Sequence, residues 1–166
     1  MTYLIGIPAI AVLTILQTSL VGHLRLIEGR PDLVMLAVVA WALTGRTHEA
    51  MVFGFAGGLF LDAFSAVPLG VSAAALVIVA VIASYSEGQF WGINPIMQLA
   101  AVLLGTVVYN LIIISALLVI GQPLDLQLAL GRIVLPSLFV NLILTLPSVQ
   151  LTERLHNLLH PPRVAA

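Results

Sequence analysis

The carboxylate of Asp62 is the first candidate for chemistry in this sequence. It stands in GFAGGLFLDAF, residues 54–64, and no other charged residue occurs between Ala50 and Ala80. An acid in such an apolar segment is by default a candidate for proton transfer or ligand binding. The alternative is structural: Asp62 caps the break at SAVPLG, residues 65–70, or bonds to Asn or Ser on a neighbouring helix. Because the apolar segments hold almost no other ionisable group, we expect the structural role.

Histidines are the other residues with a chemically meaningful spacing. His156 and His160 are four apart, but the sequence around them has neither the glutamate of H-E-x-x-H nor a third ligand. We expect two interfacial histidines on an amphipathic tail. A membrane enzyme would have to use Asp62, His23 and His48, without a phosphate-binding loop, a nucleophile arrangement or a carboxylate pair. The sequence therefore predicts no catalytic residue, no metal and no cofactor.

The composition indicates the medium around the chain. Of 166 residues, 61% are hydrophobic and 8% are charged, and the basic side chains are six arginines with no lysine. Globular domains carry about 25% charged residues, so the sequence indicates an integral membrane protein. Six basic against seven acidic residues argue against a nucleic-acid partner. The absence of cysteine excludes disulfides, thiolate metal sites and a thiol nucleophile.

The apolar segments predict the helices that position these residues. A helix needs about 20 apolar residues to cross a bilayer. We expect six spans, at residues 3–22, 31–44, 49–64, about 70–85, 96–120 and 126–151. The second and third are short, so a tilted pair or a hairpin that partly re-enters the membrane, with five spans, is the alternative.

The ends of the chain and its charges bear on topology. The N-terminus lacks a basic n-region and an A-x-A site, so we interpret it as a retained first span. The arginines divide equally between the two sides of a six-span arrangement, and Arg132 near the interface favours both termini inside. We predict one transmembrane helical domain over residues 1–155 and a short polar tail over 156–166.

A stripe of small residues leads to Asp62. Ala50, Gly54, Gly58 and Asp62 are each four residues apart and share one helix face. Small residues allow helix backbones to approach closely in membranes, so we expect this face to pack against another helix, with Gly57 widening the groove.

Two further helices carry small or polar faces. One is on the last span and one is on the fifth, and we expect all three patches to meet in a shared interior. Their residues are Ser137, Asn141, Thr145 and Ser148 on the last span, and Gly105, Thr106, Tyr109 and Asn110 on the fifth.

A mixed-charge segment lies between the first two spans. It contains Arg25, Glu28, Arg30 and Asp32. A solvated loop with weak ion pairs is one interpretation. A docking site for a partner, with Arg25, Arg30 and Asp32 as contacts, is the other, since loops of membrane proteins carry specificity.

The segment from residue 31 to residue 73 resembles the bacterial rod shape-determining protein MreD family. The pattern is a P-D-L start, a short apolar helix, G-F-x-x-G-L-x-x-D, and then P-L-G before a small-residue helix. The late stretch LPSLFVNLILTLP also resembles the last span of that family. The matching residues are Pro31, Asp32, Leu33, Gly54, Phe55, Gly58, Leu59, Asp62, Pro68, Leu69, Gly70, Asn141 and Pro147.

The resemblance implies a non-catalytic component of the cell-elongation machinery in the bacterial inner membrane. Its partners would be the bitopic protein MreC and the wall synthase RodA with a penicillin-binding transpeptidase, with the cytoskeletal MreB as a further partner on the cytoplasmic side. The family is similar to the six-helix substrate-binding subunits of energy-coupling-factor transporters, which favours six spans and cytoplasmic termini. From these matches and from the polar face of the fifth span, we expect structural roles for Gly54, Gly58, Asp62, Pro68, Gly70, Asn110 and Asn141.

A different functional class stays open at this point. A small-solute-binding subunit of an energy-coupling-factor-type transporter would need a cavity lined by polar and aromatic groups. The candidates for that lining are Asp62, Tyr109, Asn110, Asn141 and Trp91. In a scaffold, Asp62→Asn should impair assembly. In a transporter subunit, the same substitution should lower the affinity for the ligand.

Overall fold

The computed structural model describes residues 2–23, 31–65, 67–85, 95–122 and 125–159. Every regular element in these ranges is helical, which confirms the all-α prediction. The helices are α1 (Thr2–His23), α2 (Leu33–Ala42), α3 (Thr47–Ala63), α4 (Val71–Tyr85), α5 (Pro95–Val119), the short α6 (Leu126–Ala129) and α7 (Leu135–Leu159). A π-helical stretch, Leu130–Val134, joins α6 to α7.

The last helical region differs from its prediction. We expected one span over 126–151, but α7 continues to Leu159 with Pro147 inside it, so the first part of the predicted polar tail is helical. The residues after Pro147 include Leu, Gln, Glu and Arg, which are good helix formers, and no glycine interrupts them before Leu159.

In the described part of the chain, three helices have the length and apolar composition needed to cross a membrane. These segments are Thr2–Ser19, Pro95–Val119 and Leu135–Leu155. Two shorter apolar helices, α2 and α4, accompany them. These features are those of an all-α membrane protein.

The ten-residue α2 is the centre of the bundle. It packs against α1, α3, α4, α5 and α7. Eight of its ten residues are buried, and Val34, Val38 and Val39 have no exposed surface. A helix that is apolar on all sides is stable only where other elements surround it. At about 15 Å, α2 is half as long as the hydrocarbon core is thick, and surrounding helices rather than lipid cover it.

Helices α3 and α4 form the most closely packed pair in the described part of the chain. They run antiparallel and are joined by the turn after Ala63, in which the Val71 amide donates to the Pro68 carbonyl at 3.2 Å. Gly70 has a φ of +97° there, a conformation that a side chain disfavours. This turn returns the chain directly onto α3.

Candidate functional site

Asp62 lies at the end of α3 and caps the beginning of α4. Its side chain is buried, with 3% of its surface exposed. One carboxylate oxygen accepts from the Gly70 amide at 2.7 Å, and the other accepts from the Ser72 amide at 3.1 Å. The first amides of a helix have no partner within the helix, and the helix dipole favours negative charge near them. Both oxygens of Asp62 therefore cap the beginning of α4, which is the structural role expected from the sequence.

The small residues of the stripe bring α3 against the α4 backbone. A Cβ at Gly54 would lie 3.1 Å from the Leu76 carbonyl oxygen, and one at Gly58 would meet the backbone of Ala73. Gly57 lies on another side of α3, where a Cβ would meet Val34 and Ile10 side chains of α2 and α1. The expectation that Gly57 widens the same groove is therefore wrong, because one residue along a helix turns the side chain by about 100°.

A second capping group, formed by the side chains of Asn141 and Gln17, lies at the beginning of α2. The Asp32 amide donates to Asn141 Oδ1 at 3.0 Å, and the Val34 amide donates to Gln17 Oε1 at 3.0 Å. Asn141 Nδ2 in turn donates to Asp32 Oδ2 at 3.4 Å and to Thr106 Oγ1 at 3.3 Å. Side chains of α1 and α7 thus satisfy the amides of a short helix that is surrounded by protein.

Gln17 is the functional-site residue that the sequence interpretation missed. Its amide also donates to Asp32 Oδ1 at 3.4 Å, and only 7% of its surface is exposed. A glutamine inside an otherwise apolar span, three residues after Thr14, is the signal that could have identified it.

Tyr109 lies between the two capping groups. It lies close to Ser72 and within electrostatic range of both Asp32 and Asp62. The α3 stripe packs against α4, and Asp62 bonds to the α4 amides. The predicted meeting of polar patches is therefore limited to α5 and α7, where Asn141 Nδ2 donates to Thr106 Oγ1 at 3.3 Å. Asn110 does not join it, because its amide donates to the Thr106 carbonyl of its own helix at 2.8 Å.

The predicted partner contacts divide between this interior and the rest of the chain. Asp32 is half-buried and accepts hydrogen bonds from Gln17 and Asn141. Arg25 and Arg30 lie outside the described residues, as does Trp91. Pro68 is exposed on the turn before α4.

An apolar groove lies beside the capping groups but does not include them. Its cavity is about 530 Å³ and lies between α1 and α7, with α2 as its floor. Asp62, Tyr109, Asn110 and Asn141 are absent from its lining. The groove therefore lacks the polar groups that a solute cavity was expected to use.

Metal binding has no support in the described ranges, which contain no cluster of three or more His, Cys, Asp or Glu residues.

No protein-family model, curated protein or solved structure matches the chain. The assignment of a function consequently depends on the sequence resemblance and on the geometry above.

Proposed function

We propose that this protein is a non-catalytic membrane scaffold of the bacterial cell-elongation complex. In this role it helps to maintain rod shape by linking an MreC-type bitopic protein to RodA and its penicillin-binding transpeptidase, with MreB as a further partner on the cytoplasmic side. The chain would lie in the inner membrane with six spans and with both termini in the cytoplasm. The proposal starts from the resemblance of the Gly54, Gly58 and Asp62 pattern, followed by P-L-G, to the MreD family.

The use of the interior polar groups is the observation that carries the proposal. Asp62 binds two backbone amides, Asn141 binds Asp32 and Thr106, and Asn110 binds its own helix. Asp62 and Asn141 thus hold different helices together, and none of the three side chains lines the groove. A scaffold needs a fixed arrangement of helices with apolar outer surfaces, and this interior supplies one.

A solute-binding transporter subunit, the alternative function, would use Asp62 and Asn141 differently. A solute-binding subunit would present Asp62 and Asn141 to a ligand, and a ligand would then have to displace their present hydrogen bonds. Leaving the amides at the start of α4 without an acceptor costs about 1–3 kcal/mol for each amide. The observed bonding therefore favours the scaffold.

Extraction from native membranes in a mild detergent, followed by mass spectrometry of the proteins that co-purify, tests the proposal. We expect a bitopic MreC-type protein together with RodA and a transpeptidase. A polytopic inner-membrane protein of similar size, tagged and extracted in the same way, is the control for non-specific recovery. Recovery of paired ATPases with a transmembrane coupling subunit would refute the scaffold and support the transporter subunit.

A second measurement separates the two classes at one residue. In a scaffold, Asp62→Asn should reduce both protein stability and recovery of the partners, because an amide nitrogen would face a backbone N–H. Asn110→Ala is the matched control, since among the described residues Asn110 bonds only within α5. Loss of solute binding by a protein of unchanged stability would contradict the proposal.

A further inference from the structure

The apolar groove has the shape of a binding site for one helix. Its floor is a single stripe of α2 formed by Leu33, Ala37 and Trp41, at spacings of four residues. Leu33 and Ala37 are the two residues of α2 that are not buried. The walls, α1 and α7, both pack against α2 but make no extensive contact with each other.

The dimensions of the groove fit a helix that is half recessed. From Leu33 to Trp41 the floor is about 12 Å long. A volume of about 530 Å³ over that length corresponds to a cross-section of about 44 Å². An α-helix about 10 Å in diameter has a cross-section of about 80 Å², so about half of it would enter the groove.

Two hydroxyl groups on the α7 wall lack partners. Ser148 and Thr152 both line the groove, and Thr152 is 9% exposed. Within the described ranges, neither hydroxyl makes a hydrogen bond. Hydroxyls in membrane helices usually donate to the carbonyl four residues earlier, as Thr106 and Thr145 do here at 2.8 Å. Thr152 is buried, and Ser148, one helical turn earlier, is half-buried. A buried hydroxyl without a partner is unfavourable, so Thr152 indicates that an occupant supplies a polar group.

We propose that the groove between α1 and α7 binds a single transmembrane helix of a partner protein, which presents small residues to α2 and a hydroxyl or amide side chain to Ser148 and Thr152. The two hydroxyls are one helical turn apart, so they can meet side chains spaced by a turn on a helix that lies along α7. A hydrocarbon chain of a lipid has no polar group along its length. The bundle of a second copy would enter a recess of this width less readily than a single free helix.

This inference rests on the proposed function, because it identifies the surface through which the scaffold holds a single-span partner. Its test is photo-crosslinking in native membranes, with a photoreactive phenylalanine in place of Val12 or Ile143. Val12 lines the groove and is 55% exposed, whereas Ile143 is 73% exposed and lies outside it. We expect the Val12 position to give an adduct with the hydrophobic segment of a single-span protein, and the Ile143 position to give none.

Two sets of variants show whether the groove itself holds the helix. Ala9→Phe fills the groove and should abolish the adduct, whereas Ala100→Phe on α5, at an exposed position outside the groove, should leave it unchanged. The double variant Ser148→Ala with Thr152→Val should weaken capture about tenfold, since one interhelical hydrogen bond typically contributes about threefold. The same double variant should keep or increase stability, because these hydroxyls have no partner in the free protein.

The possible adducts give distinct outcomes. A lipid adduct alone, an adduct with a second copy of this chain, or equal capture at Val12 and Ile143 would overturn the groove proposal. If the bitopic protein and the synthase still co-purify in that case, the scaffold function stands without the groove. If the groove captures a single-span helix but no wall-synthesis protein co-purifies, the scaffold function fails and the groove assignment stands.

Discussion

The close approach of α3 and α4 makes Gly58→Ala the most informative substitution in the core. The new Cβ would lie 2.7 Å from the Ser72 carbonyl carbon and still closer to the backbone of Ala73. Ordinary contacts between carbon atoms are about 3.5 Å, so α4 would have to move by about 0.8 Å to relieve the Ser72 contact and by more to relieve the contact with Ala73. These neighbours are backbone atoms, which a rotamer change cannot displace.

Three contributions determine how much Gly58→Ala changes the free energy of unfolding. Overpacking costs about 1–3 kcal/mol. The same movement would lengthen the bond from the Ser72 amide to Asp62, now 3.1 Å, beyond hydrogen-bonding distance. Loss of a hydrogen bond to a charged group costs about 1.5–3 kcal/mol. Replacing glycine by alanine in a helix stabilises the helix by about 1 kcal/mol, which partly offsets these losses. Gly58→Ala should therefore lower the free energy of unfolding by about 1.5–5 kcal/mol.

The assay is denaturation of the purified protein in micelles by increasing SDS, followed by tryptophan fluorescence. Gly54→Ala is the matched variant on the same face, where the nearest atom is the Leu76 carbonyl oxygen at 3.1 Å, and its net effect should stay within about 1 kcal/mol. Gly131→Ala meets no atom within 4 Å and should be neutral or stabilising. If Gly58→Ala is no more destabilising than Gly54→Ala, the described contact between α3 and α4 is wrong.

Three further substitutions can be measured by the same titration. Asp62→Ala leaves two backbone amides at the start of α4 without their acceptor, so unfolding should become easier by about 2–6 kcal/mol; unchanged stability would mean that α4 does not need this cap. Gly70→Ala has open space around its Cβ but a φ of +97°, so it should cost only the backbone strain, about 1–2 kcal/mol; a much larger loss would indicate a steric contact instead. Asn141→Ala removes the acceptor of the Asp32 amide and should cost about 1–3 kcal/mol, against less than about 0.5 kcal/mol for Asn110→Ala; equal effects would contradict the assignment of Asn141 as a cap.

Composition and local periodicity were enough to predict the medium, the helix boundaries and the small-residue face of α3. The apolar composition indicated a membrane protein, and the boundaries of α1 to α5 follow the apolar segments to within about two residues. The spacing of Gly54, Gly58 and Asp62 placed them on one face, because a helix brings residues four apart together. The break at 65–70 and the apolar surroundings of Asp62 also indicated its capping role.

The pairing of polar groups on different helices could not be predicted from the sequence. Asn141 binds Asp32, which is 109 residues earlier, and Gln17 binds the Val34 amide. The acceptors were visible as side chains, but their donors are backbone amides, which every non-proline residue has and no sequence pattern distinguishes. The central place of α2 was equally hidden, because an apolar ten-residue segment has no polar face that could orient it. Periodicity assigns residues to a face of one helix, whereas the choice of neighbouring helix is a property of the packed bundle.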